Sequence, residues 1–124
     1  MSFLLDSNII IYASKPNNEV LREFIKQNVP SVSFVSVIEV LGFNFTNKEE
    51  QKYLEEFFNN SDVHLISMEI IKRATLLRQL RKISLADSIV AATTLENNLT
   101  LVTHNTKDFD WIEGIQLLDP LLEK

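Results

Sequence analysis

The sequence predicts a three-layer α/β sandwich, and three observations carry that expectation. Its strand-like runs are short and apolar throughout, as in Phe3-Leu-Leu5 and Thr100-Leu-Val-Thr103, which suits strands covered on both faces rather than half-solvated ones. These runs alternate with segments of helical period, the pattern of a parallel sheet with helices on either side. The 124 residues contain no Pro/Ser/Gly-rich linker, low-complexity tract or internal repeat, so residues 1–124 are expected to form a single domain.

Taken in order, Phe3-Leu-Leu-Asp6 is a first strand ending at a carboxylate, and Asn8 to Ser14 begins a helix capped near Ser7. From Asn17 to Asn28, Val20, Leu21, Phe24 and Ile25 share one helical face, and the helix stops before Pro30. Val32 to Val35 reads as a buried strand, and Ser36 as the start of a helix carrying Val37, Ile38, Val40 and Leu41. A further helix runs from Lys48 to Asn60, with Tyr53, Leu54, Phe57 and Phe58 as its apolar set. Val63 to Ile66 is a short strand. Met68 to Lys82 and Leu85 to Asn97 are helices, the second opened by Ser84 and ended by Asn97-Asn98. Thr100 to Thr103 and Ile115 to Leu118 supply the last strands, separated by a polar turn.

Composition removes several classes of function. Without cysteine there is no disulfide framework or thiolate zinc site, and His64 and His104 alone do not make a histidine-rich one. Gly42 and Gly114 stand too far apart for a glycine-rich phosphate loop. The N-terminal run has no basic flank and meets Asp6 at once, so it does not read as a secretory signal. No run approaches the roughly 20 apolar residues that cross a bilayer. A cytoplasmic protein without a membrane partner is expected. The net charge of −5 argues against holding nucleic acid by bulk electrostatics, although an enzyme acting locally on it is compatible. Lys72, Arg73, Arg78, Arg81 and Lys82 lie in a stretch without acids, either a solvated helix face or a guide for a polyanion.

Three acids ask for an explanation. Glu39 and Asp87 sit among apolar neighbours, and Asp6 ends the first strand. Capping accounts for each singly: Ser36-x-x-Glu39 has the form of a capping box, and Ser84-x-x-Asp87 is a shorter relative. Jointly they say more, because an α/β topology brings strand ends and helix starts to one sheet edge, where ligands bind. Clustered carboxylates raise one another's pKa unless a cation compensates them. All-oxygen ligation suits Mg2+ or Mn2+, and such an ion favours phosphodiester hydrolysis.

Four segments, Phe3-Leu-Leu-Asp-Ser-Asn-Ile-Ile-Ile-Tyr12, the helix with Glu39, Leu85-Ala-Asp-Ser-Ile-Val-Ala-Ala92 and Leu99-Thr-Leu-Val-Thr-His-Asn-Thr-Lys-Asp-Phe109, together resemble the PIN domain family. Within it they are most similar to VapC-type toxins of bacterial toxin–antitoxin pairs. The resemblance implies a five-stranded parallel sheet and divalent-metal-dependent endoribonuclease activity. It implies Asp6, Glu39, Asp87 and Asp108 as the catalytic acids, with Asp6 and Asp87 as metal ligands. Either Asn105 or Asp108 provides the fourth oxygen; Asp108 is preferred, and Asn8, Thr103 and Asn105 support it. Two departures stand out: no glycine precedes Asp87 in Arg81-Lys-Ile-Ser-Leu-Ala-Asp87, and His104 replaces a common arginine, which would make a phosphate contact there pH-dependent.

The implied mechanism has Mg2+ or Mn2+ held by Asp6 and Asp87, Glu39 and Asp108 completing the pocket or holding a second ion, and an activated water attacking the RNA phosphorus. The basic stretch would guide the RNA. The family further implies a homodimer and a cognate antitoxin, with Phe43, Phe45, Tyr53, Phe57 and Phe58 as a candidate groove or dimer surface. The alternatives are an RNA-processing PIN nuclease without an antitoxin and a catalytically silent binding module. A phosphoacceptor receiver domain fails, because the strand at Val63 to Ser67 ends in no aspartate.

Overall fold

The computed structural model describes residues 2–122. Its elements run β1 (Phe3–Leu5), α1 (Ser7–Ala13), α2 (Glu19–Asn28), β2 (Ser31–Ser33), α3 (Phe34–Leu41), α4 (Lys48–Asn59), β3 (Val63–His64), α5 (Met68–Leu80), α6 (Leu85–Glu96), β4 (Thr100–Val102), a 3-10 turn (Thr106–Asp108) and β5 (Gln116–Leu118). The five strands form one parallel sheet in the order β3-β2-β1-β4-β5. The expected α/β fold and its parallel five-stranded sheet are both present.

Alternation along β1 sorts the core into two layers. Leu5, Val32 and Val102 face Ile9, Ile10, Ala13, Leu21, Val40, Leu54 and Phe58, contributed by α1 to α4. Leu4 and Leu101, one residue out of phase, face Leu77, Val90, Ala91, Phe109 and Ile112 on the side of α5 and α6. In register, Leu4 pairs with Leu101 and Leu5 with both Val102 and Val32. The centre of the sheet is therefore apolar on both faces, which is why these strands carry no polar alternation.

The strand order sets the position of everything that follows. The chain leaves β1 toward β2 and β3, then returns to build β4 and β5 on the other side of β1. The reversal falls between β1 and β4, and their carboxyl ends carry Asp6 and Thr103. Asp6 N–H still bonds Val102 O at 3.1 Å, and Thr103 N–H bonds Leu118 O at 2.9 Å. Both side chains are thus fixed at the crevice where open α/β sheets bind ligands.

Several boundaries differ from the sequence-based expectation. Ser33, not Ser36, caps α3: its extended backbone lets Oγ accept from Val35 N–H at 3.2 Å. The strand consequently ends at Ser33, and Ser36 is wholly buried inside the helix. Asp6 rather than Ser7 caps α1. β3 stops at His64, leaving Leu65 and Ile66 outside the sheet and exposed. α5 stops at Leu80, because Arg81 turns to an extended conformation. Ser84 opens α6 as expected, and Asn98 leaves it in the left-handed region with φ 54°, which asparagine tolerates.

Leu101 is completely buried at the centre of the sheet. Leu101→Ala is expected to cost roughly 2–5 kcal/mol of unfolding free energy, since the backbone around it can barely collapse into the cavity. Urea-induced unfolding followed by circular dichroism checks this.

Candidate active site

Asp6 stands directly beyond the central strand and both of its oxygens are engaged. Oδ1 accepts from Ile9 N–H at 3.0 Å, capping α1, and Oδ2 accepts from Thr103 Oγ1 at 2.5 Å. Thr103 is wholly buried, and its Oγ1 also accepts from Asn105 N–H at 3.0 Å. One hydroxyl thereby fixes the Asp6 carboxylate and the turn that leads to Asp108. Burial pushes the Asp6 pKa above its ordinary value; the bonds from Thr103 and Ile9 oppose this, and the charges of Asp87 and Glu39 add to it.

Asp87 lies in the first turn of α6, half-buried. Ser84 Oγ accepts from its N–H at 3.0 Å, the forward half of a capping box. Its carboxyl is also held above the ordinary value, first by burial and then by the charges of Asp108 and Glu39, with Ser84 opposing. Glu39 is not a capping residue, because its helix begins earlier than the sequence suggests. It sits six residues past the cap Ser33, with Oε1 2.7 Å from Ser7 Oγ. Ser7 Oγ is also 2.9 Å from Ser36 Oγ. Ser7 has a single proton, so it gives that proton to the carboxylate and accepts from Ser36.

At this sheet edge Asp6 is within electrostatic reach of Asp87 and Glu39, and Asp87 of Glu39 and Asp108. Asp108 ends the 3-10 turn and is exposed; Asn105, also exposed, precedes that turn without capping it through its side chain. Asn8 is exposed in the first turn of α1. From the sequence Ser7 and Ser36 read only as helix caps, not as partners of Glu39. The Asp6-Ser7 pair is visible there, but the contact with Glu39 spans 32 residues.

The basic stretch is divided. Helices α5 and α6 pack antiparallel, and Arg73 pairs with Glu96 at 2.7 Å. Glu96 is nine residues beyond Asp87, about 13 Å along α6. Lys72 and Arg73 thus lie at the end away from the acids. Arg78, in the last turn of α5, and Arg81 and Lys82, in the connection to α6, lie at the acid end. His104 has a carboxylate neighbour: its Nδ1 is 3.0 Å from Oδ2 of the nearly buried Asp119, and its ring stands edge-on to Tyr12. Among the aromatic residues, Phe58 is core, while Phe45, Tyr53 and Phe57 pack against the core. Phe43 stays 71% exposed beside a cavity of about 280 Å3 lined also by Ile11, Val40, Phe45 and Leu54.

None of the ion pairs among the described residues involves the four acids. An all-oxygen, uncompensated donor set at a sheet switch point suits a hard divalent cation. No three acid or histidine side chains among the described residues form a closed ligand cluster.

A parallel α/β sheet with acids at its switch point places the chain among α/β domains that bind ligands at the carboxyl ends of their strands. The PIN domain family model matches residues 3–114, and the chain belongs to that family. Ribonuclease VapC1 of Haemophilus influenzae (strain R2866) is 32% identical over 131 residues, covering 96% of this chain and 98% of the relative. The tRNA(fMet)-specific endonuclease VapC of Shigella flexneri is 27% identical, with 96% and 98% covered. Among solved structures, a toxin–antitoxin complex from Klebsiella pneumoniae contains a chain that superposes with a TM-score of 0.79 at 27% identity, covering 96% of this chain and 98% of that one.

The raised carboxyl of Asp87 has a consequence for stability. Between the ordinary value of 3.8 and its own raised pKa, the folded state holds the proton more tightly than the unfolded state. Stability from this group therefore falls as pH rises through that window and stays lowered at neutral pH. Asp87→Asn removes the penalty. In EDTA the variant is expected to melt above wild type at pH 7, and the difference should shrink as pH falls through that window and be lost below about 3.8. Differential scanning calorimetry at the two pH values checks it.

Proposed function

We propose that the chain is the toxin ribonuclease of a type II toxin–antitoxin pair, a PIN nuclease domain spanning residues 1–124 that hydrolyses RNA phosphodiester bonds with Mg2+ or Mn2+. The observation that carries this reading is the approach of Asp6 to Asp87 and Glu39 and of Asp87 to Glu39 and Asp108, with none of the four in an ion pair among the described residues and with the pKa values of Asp6 and Asp87 pushed up first by burial and then by their acidic neighbours. The named activity of the VapC relatives supports it. When bound, the ion lowers the pKa of a water and shields the charge that develops on a phosphoryl oxygen.

The residues of this chain divide the remaining work. Asp6 and Asp87 would hold the ion, Asp6 pre-oriented by Thr103 and by the first turn of α1. Glu39, held by Ser7, and Asp108 complete the acidic pocket. Asn8 and Asn105 line its exposed side. Arg78, Arg81 and Lys82 draw the RNA backbone toward an otherwise repulsive rim, and the division of the basic stretch assigns Lys72 and Arg73 little part in this. An antitoxin partner is supported by the toxin–antitoxin assembly of the Klebsiella neighbour. Pairing with a second copy, and a cytoplasmic location beside the RNA, complete the reading. No helix among the described residues is long and apolar enough to cross a membrane.

The deciding experiment incubates antitoxin-free protein with total cellular RNA in Mg2+, in Mn2+ and in EDTA. Cleavage that needs the ion and is lost in Asp6→Asn and Asp87→Asn variants of unchanged circular dichroism is expected. Cleavage surviving in EDTA or in either variant would overturn the assignment. Thr103→Val, which frees one Asp6 oxygen without touching a proposed ligand, should lower the cleavage rate by roughly 10–100-fold, measured in the same assay.

A further inference from the structure

Beside the acidic pocket lie Arg81 and Trp111, a pair of which the proposed function uses only the charge of Arg81. The guanidinium of Arg81 sits over the indole of Trp111, 4.9 Å from the ring centroid. The indole is fixed from three sides: Nε1–H donates to Asp108 O at 2.9 Å, its ring packs partly buried against the core layer containing Phe109 and Ile112, and Arg81 covers a face. Arg81 is itself anchored, since its N–H closes α5 by bonding Leu77 O at 3.2 Å. Its side chain pairs with no carboxylate among the described residues and is exposed. The guanidinium thus has the indole on one side and no ion-pair partner among the described residues.

This pair is attached to the pocket through Asp108, whose charge is felt by Asp87. A flat cation backed by an aromatic ring is a platform for a nucleobase, because every base has a π-face and guanidinium planes stack on bases. A phosphate alone needs only charge; the Lys82 next to Arg81 already offers that without an aromatic support. We infer that the Arg81–Trp111 stack is a base-binding subsite, which seats an unpaired RNA base next to the acidic pocket and so sets where along the strand the scissile phosphate falls. This rests on the ribonuclease reading and adds a specificity-determining contact to it.

Trp111 is the only tryptophan of the chain, so its fluorescence reports on the subsite directly. The Asp87→Asn protein is titrated in Mg2+ with a single-stranded RNA octamer and with the same octamer made abasic throughout, reading Trp111 emission and, separately, anisotropy of a 5′-labelled strand. The base-containing strand is expected to change the emission and to bind roughly tenfold more tightly than the abasic one. Arg81→Ala and Arg81→Lys should both remove most of that preference, because lysine restores charge but not the planar face. Trp111→Phe, a smaller platform that keeps the core contact, should reduce it, read by anisotropy alone.

Wild-type cleavage of cellular RNA is measured in parallel. Metal-dependent cleavage together with equal affinity for the two octamers, unchanged emission and an unaffected preference in the Arg81 variants would overturn the subsite and leave the nuclease standing. Absence of both cleavage and RNA binding would overturn both. A stack that only stabilises the fold would lower the melting temperature of Arg81→Ala without changing the ratio between the two strands.

Discussion

A carboxylate is held out of water at the end of the central strand, and the site is organised around it. Asp6 is 8% exposed, and a buried charge is tolerated only where hydrogen bonds replace the lost hydration. Two do so here, one from the first turn of α1 and one from Thr103 at the end of β4. Those donors tie the carboxylate, itself at the end of β1, to α1 and to the end of β4, so β1 and β4 cannot shift against each other without uncovering the acid. The same Thr103 hydroxyl anchors the Asn105 backbone and thus the turn bearing Asp108. Scaffold and site share these bonds.

Clustering Asp6, Glu39, Asp87 and Asp108 works against folding, and that conflict is informative. Capping would satisfy a lone acid at a helix start at little cost. It accounts for Oδ1 of Asp6, but it does not account for Glu39, which lies past the start of α3 and is held by Ser7. Nor does it account for the half-buried carboxyl of Asp87, which faces two other acids. Retained unfavourable electrostatics at a sheet switch point are a mark of function. On the proposed ribonuclease reading, a bound cation relieves the repulsion, so affinity for the ion and instability without it have one origin.

The rim has a polarity of its own. α5 and α6 form an antiparallel pair that places Arg78, Arg81 and Lys82 beside the acids and spends Arg73 on Glu96 at the other end. On the opposite flank, Asp119 engages His104 and accepts from Leu121 N–H at 3.0 Å, which ties the segment after β5 back against the loop that follows β4. A protein of net charge −5 can therefore present a basic edge to a polyanion over a short distance only, which favours local engagement of a strand over tight, extended binding.

Much of this was legible in the sequence. The apolar strand runs and the helical periods between them required a covered parallel sheet, and the residue types at Asp6, Glu39, Asp87 and Asp108, with no cysteine and few histidines, required oxygen chemistry. These are properties of composition and short-range spacing. Helix starts were less certain: both Ser33 and Ser36 are good caps, and only the packing that buries Ser36 and leaves Ser33 extended decides between them. Contacts made through space were not legible at all. Ser7 meets Glu39 across 32 residues, Thr103 meets Asp6 across 97, and Arg81 finds Trp111 from the far side of α6. Sequence periodicity says which face of an element is apolar, whereas strand order decides which elements become neighbours, and only the folded sheet sets that order.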